Sequence, residues 1–213
     1  HVVVGDVVAV LDRLHALQPF DALHTHEETG NGWTFERDRA LARWCRVHGV
    51  AWREWAQNGV VRGLRDRDGW QARRDAFMAA PVVEPPARWI NIDLPRGEPM
   101  SRDALAAVLT DADAPLRQRG GRSEGLRTLQ HFLADGGAGY RRGMSSPLTA
   151  PEACSRLSPY LAWGCLSVRE VDQATRAVLH SAPLDRAQRQ GLQAFRSRLA
   201  WHCHFMQKLE SEP

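Results

Sequence analysis

Cys154-Ser155-Arg156-Leu157-Ser158-Pro159-Tyr160-Leu161-Ala162-Trp163-Gly164-Cys165-Leu166-Ser167 is the most informative stretch of this chain. Two serine hydroxyls and several backbone N–H groups stand just ahead of a short helix. The positive end of a helix dipole favours an anion such as a phosphate at that point. The same residues also read as a capped turn between two helices, and residue chemistry alone leaves both readings open.

Outward from this stretch the pattern is helical. Ser167-Val168-Arg169-Glu170 is a capping box that opens a helix through Val171, Ala174 and Val178. Asp185 opens the longest helix, with Leu192, Phe195, Leu199 and Met206 along one side. Upstream, Ser123 caps a helix with Leu126, Leu129, Phe132 and Leu133 inward, stopped by Gly136-Gly137. Residues 123–213 are therefore read as all-α. Residues 81–122 hold six of the 12 prolines (Pro81, Pro85, Pro86, Pro95, Pro99, Pro115) and read as an irregular connector with a short helix from Ser101 to Leu109.

Residues 1–80 alternate strand-like and helix-like stretches. Asp6 caps a helix whose Val7, Val10, Leu11 and Leu14 form a stripe expected to be buried. Phe20–Thr25 reads as a short buried strand, and the loop through Thr29-Gly30-Asn31-Gly32 breaks it. Thr34 caps the next helix, with Leu41, Trp44 and Cys45 inward and Gly49 as its stop. Val50–Glu54 reads as a second strand. Strand–helix–strand order predicts a parallel α/β sheet. The expected fold class is α/β followed by all-α: the C-terminal part of a parallel, Rossmann-like domain, a connector, and the first helices of a helical domain. Two such units cannot cover both faces of a parallel sheet. The chain also begins His-Val-Val-Val, as if inside a strand, and ends where a long helix meets Pro213, so an internal fragment is expected.

Composition narrows the function classes. The chain has 213 residues, a net charge of +3, 43% hydrophobic and 25% charged residues, which excludes wholesale disorder. No apolar run approaches the roughly 18 residues of a membrane span, and nothing at the N-terminus reads as a signal peptide. The four cysteines (Cys45, Cys154, Cys165, Cys203) are far apart, which argues against a disulfide framework and fits a reducing, cytoplasmic setting. The slight basic excess is weak support for a nucleic-acid partner. Eight tryptophans in so short a chain are unusual.

Ser155-Arg156-Leu157-Ser158-Pro159-Tyr160-Leu161, followed by Trp163-Gly164-Cys165-Leu166-Ser167-Val168-Arg169-Glu170-Val171, resembles the flavin-phosphate loop of the DNA photolyase/cryptochrome family. Glu27-Glu28-Thr29-Gly30, Arg37-Asp38 and Gly59-Val60-Val61-Arg62 look like the end of that family's antenna domain. Gly120-Gly121, Leu129, Phe132-Leu133 and Tyr140 are similar to its first FAD-domain helix. Leu199-Ala200-Trp201-His202 and Phe205 look like its long substrate-side helix. The match covers nearly the whole chain in order.

The resemblance implies roles for particular residues. Tyr140 would lie against the FAD phosphates and ribose, and Cys154, Ser155, Leu157 and Ser158 would hold the diphosphate through hydroxyls and backbone amides. Cys154 stands where the family usually has threonine, which removes one hydroxyl. Trp201 would pack beside an extruded pyrimidine dimer, where an indole face contributes roughly 1–3 kcal/mol per stacked base. Arg198, His202 and Phe205 would share that DNA-side face. Many bacterial members carry glutamate at the position of Arg198 and arginine at that of His202. Arg198 can meet phosphate, but it cannot accept a base N–H. Glu28 would line a pocket for a folate or flavin antenna chromophore, against the alternative of a solvated loop.

Other clusters read more plainly. His202, Cys203 and His204 point about 100° apart on a helix and cannot all face one ion. The cysteines also lack the spacing of the family's iron–sulfur members, so no metal is expected. Arg62, Arg65, Arg67, Arg73 and Arg74 are offset by Asp66, Asp68 and Asp75 and read as surface pairs. Arg117, Arg119, Arg122 and Arg127 are less compensated and could face phosphates. Trp44, Trp52 and Trp55 read as packing. No catalytic residue is assigned within the chain.

The resemblance thus implies part of a light-dependent, FAD-containing photolyase, a lyase acting on UV-damaged DNA, monomeric, with no membrane partner. This chain alone would be inactive. The alternatives are a cryptochrome-type blue-light photoreceptor and a non-catalytic nucleotide- or DNA-binding module.

Overall fold

A computed structural model describes residues 5–88, 117–181 and 183–212. They fall into two compact units: 5–55 with 84–88 and 117, and 56–83 with 118–212. The residues before Gly5, the short helix expected over 101–109 and most of the proline-rich connector lie outside the described residues. Of the connector's described residues, 81–88 are exposed and without regular structure.

The first unit runs α1 (Val7–Leu17), β1 (Ala22–His26), α2 (Gly32–Val47) and β2 (Ala51–Trp55). β1 and β2 pair directly and in parallel, with Ala22 opposite Ala51 and His26 opposite Trp55. Alternation across the strands sends Leu23 and Trp52 towards the core and leaves His24, His26, Arg53 and Trp55 exposed. The core is built on Leu41, Trp44, Cys45 and Val50, the first three being the residues expected inward on α2.

Two expectations are corrected here. Asp6 does cap α1, accepting the Ala9 N–H at 3.0 Å. The Val7, Val10, Leu11 and Leu14 stripe, however, is only half-buried, because no residue of α1 is fully covered. α2 begins before Thr34: Asn31 is the cap and Thr34 its capping-box partner, each side chain taking the other's backbone N–H. Two cap-forming residues three positions apart compete for one helix start, and the first one wins. At the other end Gly49 adopts φ +67, which lets the chain leave the helix as expected.

The second unit contains α3 (Trp70–Ala79), α4 (Arg122–His131), a π-helical turn (Phe132–Gly136), α5 (Gly137–Gly143), α6 (Ala150–Ala153), α7 (Ser158–Ala162), α8 (Val168–Ser181) and α9 (Arg186–Ser211). Its described residues include no strand. One core joins Trp70 and Met78 of α3 to Leu129, Phe132, Tyr140, Leu157, Tyr160, Leu166, Val171 and the α9 row Leu192, Phe195, Leu199 and Cys203. Asp185 caps α9 in a full capping box with Gln188. At the α9 C-terminal end the fully buried Gln207 holds the 58–61 turn: its Oε1 accepts the Val61 N–H at 2.7 Å, and its Nε2 donates to Val61 O at 3.0 Å.

α4 starts at Arg122 after Gly121, whose φ of +101 turns the chain, and Ser123 does not cap it. Gly136-Gly137 does not stop the helical run either; after the π turn the chain continues as α5. A Cβ at Gly191 would lie 1.5 Å from Gly137 O, and one at Gly137 would meet Leu192 at 2.9 Å. The glycines serve the close crossing of α5 and α9, and close packing rather than termination explains Gly137.

The arginine groups also differ from expectation. Arg74 is buried, 4% exposed, and pairs with Asp75 at 3.1 Å, and Arg67 pairs with Glu212 at 2.6 Å. In the second group Arg122 grips Glu170 through two hydrogen bonds of 2.6 and 3.0 Å, and Arg127 pairs with Glu124 at 2.6 Å. Those two guanidinium groups are engaged within the protein. Glu170 is thereby drawn away from the second half of its capping box, while Ser167 Oγ keeps the first half by accepting the Glu170 N–H at 3.0 Å.

Candidate functional site: the serine loop and the outer face of α9

α6 ends where the Cys154 N–H bonds back to Ala150 O at 2.9 Å, and the chain then becomes extended at Cys154 (φ −79, ψ 156). Arg156 takes φ +57, the left-handed region that costs a side-chain-bearing residue energy. Gln118 Nε2 holds the turn by donating to Arg156 O at 2.9 Å. Leu157, 1% exposed, plugs the loop into the core; Tyr160, 3% exposed, does the same one turn later and donates its hydroxyl to Arg119 O at 2.8 Å.

Pinned in this way, the loop leaves Arg156 and Ser158 exposed and Ser155 half-buried. Among the described residues no hydrogen bond is made by the hydroxyls of Ser155 and Ser158, nor by the N–H groups of Ser155, Arg156 and Leu157. Backbone N–H groups are nearly always paired in folded proteins, so a cluster of free ones is a place for solvent or an oxyanion. α7 is a single short turn of 5 residues, so its dipole adds little, and the loop's own donors are what an anion would meet.

Tyr140 lies on α5 with its ring edge-on to Phe132 (centroids 5.6 Å apart) and Phe195 (5.5 Å). Burial pushes its phenol above the usual range, the Cys154 thiol adds to this, and the Arg198 guanidinium opposes it. Cys154 and Arg198, both named from the sequence, thus each act on Tyr140. α6 approaches α5 tightly: a Cβ at Gly143 would lie 2.4 Å from the Ala153 Cβ.

Along α9, Arg198 stacks over the Trp201 ring at 4.1 Å, and Trp201 meets Phe205 edge-on at 6.0 Å. Trp201 is 47% and Phe205 55% exposed. His204 links Phe205 to the buried Trp70 through ring contacts of 5.6 and 5.8 Å. Leu209, also exposed, extends the stripe and was not singled out from the sequence. The spacing of four residues between Trp201, Phe205 and Leu209 was the available signal. His202 is exposed on the neighbouring side, yet surrounding protein desolvates it enough to lower its pKa. Cys203 is fully buried, so the three residues His202, Cys203 and His204 diverge; among the described residues no group of three metal-ligating side chains occurs.

Glu28 belongs to the other unit. Its Oε1 accepts the Gly30 N–H at 2.6 Å and its Oε2 pairs with Arg37 at 2.7 Å, and Arg37 also binds Asp38 at 2.8 Å. That carboxylate shapes its own loop. Nearby, Trp55 stacks on His24 with rings 5° from parallel and donates Nε1–H to its Nδ1 at 3.0 Å. Of the three tryptophans read as packing, Trp44 is buried while Trp55 is 55% exposed. No helix among the described residues is long and apolar enough to cross a membrane.

No family model matches the chain, and no curated protein does. Among solved structures its fold is similar to that of a cryptochrome from Synechocystis sp. PCC6803, with a TM-score of 0.64 at 14% identity, over 96% of this chain. The chain spans 44% of the length of that cryptochrome, and what it shares with it is the fold.

Proposed function

We propose that the chain forms part of a light-dependent, FAD-containing DNA photolyase that acts on UV-damaged DNA. The observation that carries this reading is the serine loop: a strained turn held by the buried Leu157 and Tyr160, with hydroxyls and N–H groups that make no hydrogen bond among the described residues. Ser155 and Ser158 would bind the diphosphate with their hydroxyls, and the amides at Ser155 and Leu157 would add donors. Cys154, half-buried at the edge of the helical core, would supply bulk and a backbone rather than a hydroxyl. Reduced FAD, when bound and excited by blue light, supplies the electron that splits a cyclobutane dimer and receives it back. Trp201, His202 and Phe205 form the face for the lesion, with Arg198 as the positive charge at its edge. The fold likeness to a cryptochrome is consistent with this domain plan.

A cryptochrome-type photoreceptor is the second reading. It is favoured by the cryptochrome likeness and by Arg198, which offers no acceptor to a base N–H. Repair of a dimer-containing oligonucleotide under blue light separates the two; bound flavin without repair supports the photoreceptor.

Flavin binding tests what both readings share. Ser158→Ala should weaken FAD binding roughly fivefold, the worth of one net hydrogen bond of about 1 kcal/mol. Arg119→Ala should leave it unchanged, because Arg119 meets Tyr160 through its backbone carbonyl. Equal effects of the two substitutions would remove the loop from the cofactor site.

A further inference from the structure

Trp44 and His48 stand one turn apart at the end of α2, their rings stacked with centroids 4.3 Å apart and planes 22° apart. The helix ends at His48, and both of its ring nitrogens face oxygen. Nδ1 lies 2.9 Å from Trp44 O, and Nε2 lies 3.2 Å from Asp12 Oδ1 on α1. A carbonyl and a carboxylate oxygen can only accept, so each nitrogen needs a proton to be held there. A histidine with both protons is an imidazolium. The Asp12 carboxylate, the indole face of Trp44 and the C-terminal end of the helix dipole all favour that charge.

Asp12 closes the arrangement from the other side, its Oδ1 also accepting the Trp44 Nε1–H at 3.2 Å. His15, three residues along α1, meets the His48 ring edge-on with centroids 5.6 Å apart. Its Nδ1 accepts the Phe20 N–H at 3.3 Å, a bond open only to a neutral imidazole. Asp12 and His15 are thus the titratable groups that α1 presents to His48. On α2 itself, Cys45 is a buried thiol whose pKa burial raises, and Arg46 is exposed. α1 has little else to hold it. None of its residues is fully covered, and its share of the apolar core is the half-buried Val8 and Leu11.

We propose that His48 is a pH-sensitive clasp. As an imidazolium it fastens α1 to the end of α2 through Asp12 and Trp44, and loss of a proton as pH rises loosens α1. A proton lost from Nε2 sets a lone pair against the Asp12 carboxylate, and one lost from Nδ1 sets it against Trp44 O. Either loss also ends the attraction of a cation to the indole face. The clasp is therefore tighter at the acid end of the histidine range and weaker at the alkaline end. It lies in the first unit and does not depend on the flavin-nucleotide reading.

The test is amide hydrogen exchange of the whole chain by NMR at about pH 6 and about pH 8, on either side of the value near 6.5 at which free histidine titrates. Rates are corrected for intrinsic exchange. The two side chains are partly exposed, at 29% for His48 and 60% for Asp12, so the effect is modest. Protection of the Leu11–Leu14 amides should fall about fivefold from the lower pH to the higher, the combined worth of an exposed ion pair and a cation–π contact. Protection along Leu192–Leu199 of α9 should hold constant. His48→Arg carries a permanent charge and should stay equally protected at both pH values. His48→Gln, and the exposed Asp12→Asn, should be poorly protected at both. Nitrogen shifts at the lower pH should show His48 protonated on both nitrogens and His15 bare at Nδ1. A fivefold fall that persists in His48→Arg would overturn the proposal by placing the titration elsewhere. Protection in the unsubstituted chain that ignores pH would overturn it too. Protection that rises towards the higher pH would do the same and give the response to His15.

Discussion

Asp172 shows how a single residue holds two helices. It is 1% exposed and pairs with Arg176 Nε at 2.7 Å on its own helix and with Arg196 Nε at 3.0 Å on α9. A buried carboxylate is tolerated only when its charge is answered. The two guanidinium groups do so while remaining about a third exposed, at 30% and 33%. Removing the charge leaves those cations in partial contact with water, so the loss should fall below the range for a fully buried pair. Asp172→Asn is expected to cost about 2 kcal/mol in urea unfolding. A loss under about 0.5 kcal/mol would mean that the α8–α9 contact rests on apolar packing alone.

At the scale of elements, the crossing of α5 and α9 fixes where Tyr140 and Arg198 sit. Gly191 is the residue on which it depends, since a methyl there would overlap the backbone at Gly137 O, an atom that cannot rotate away. Gly191→Ala should destabilise the protein by about 3 kcal/mol or prevent folding, at or beyond the upper end of overpacking costs. Gly139→Ala is the control: its Cβ would meet only Ala153, at an ordinary 3.9 Å, and a gain in helix propensity should make it neutral or slightly stabilising. If Gly191→Ala unfolds at the same urea concentration as Gly139→Ala, the close crossing is not as described. The same glycines explain what the sequence could and could not disclose. Asp185 and the Leu192–Phe195–Leu199 row were readable because a cap and a period of 3.6 each have one physical meaning. Gly137 was not, because glycine ends helices and also permits close approach, and only the partner at Gly191 tells which. Likewise the serine loop announced its hydroxyls by residue type and spacing, whereas the φ of +57 at Arg156, the stacking of Arg198 and the burial of Arg74 come from tertiary contacts without a local signature.

For the whole molecule, the division into units follows which residues share a core, and sequence order does not predict it. Composition changes near residue 80, where the prolines cluster, yet α3 packs with the helical core. Trp70 is 5% exposed and donates Nε1–H to Gly59 O at 2.9 Å; Met78 is fully buried. Gln173 Nε2 ties α8 to the end of α3 by donating to Met78 O at 2.8 Å and Ala80 O at 2.7 Å. With Gln207 holding Val61, residues 56–83 cover one side of α8 and α9. A chain beginning at Ala56 should therefore fold, showing helical circular dichroism and one cooperative thermal transition. A chain beginning at Glu84 would expose the apolar surface under Trp70 and Met78 and leave the buried Gln207 amide without its backbone partners. Burying two such side chains is worth roughly 2–3 kcal/mol each, a large share of the 5–15 kcal/mol that stabilises an ordinary domain. The shorter chain should aggregate or melt without a cooperative transition. Equal cooperativity in the two chains would place the boundary of the helical unit after α3 instead of before it.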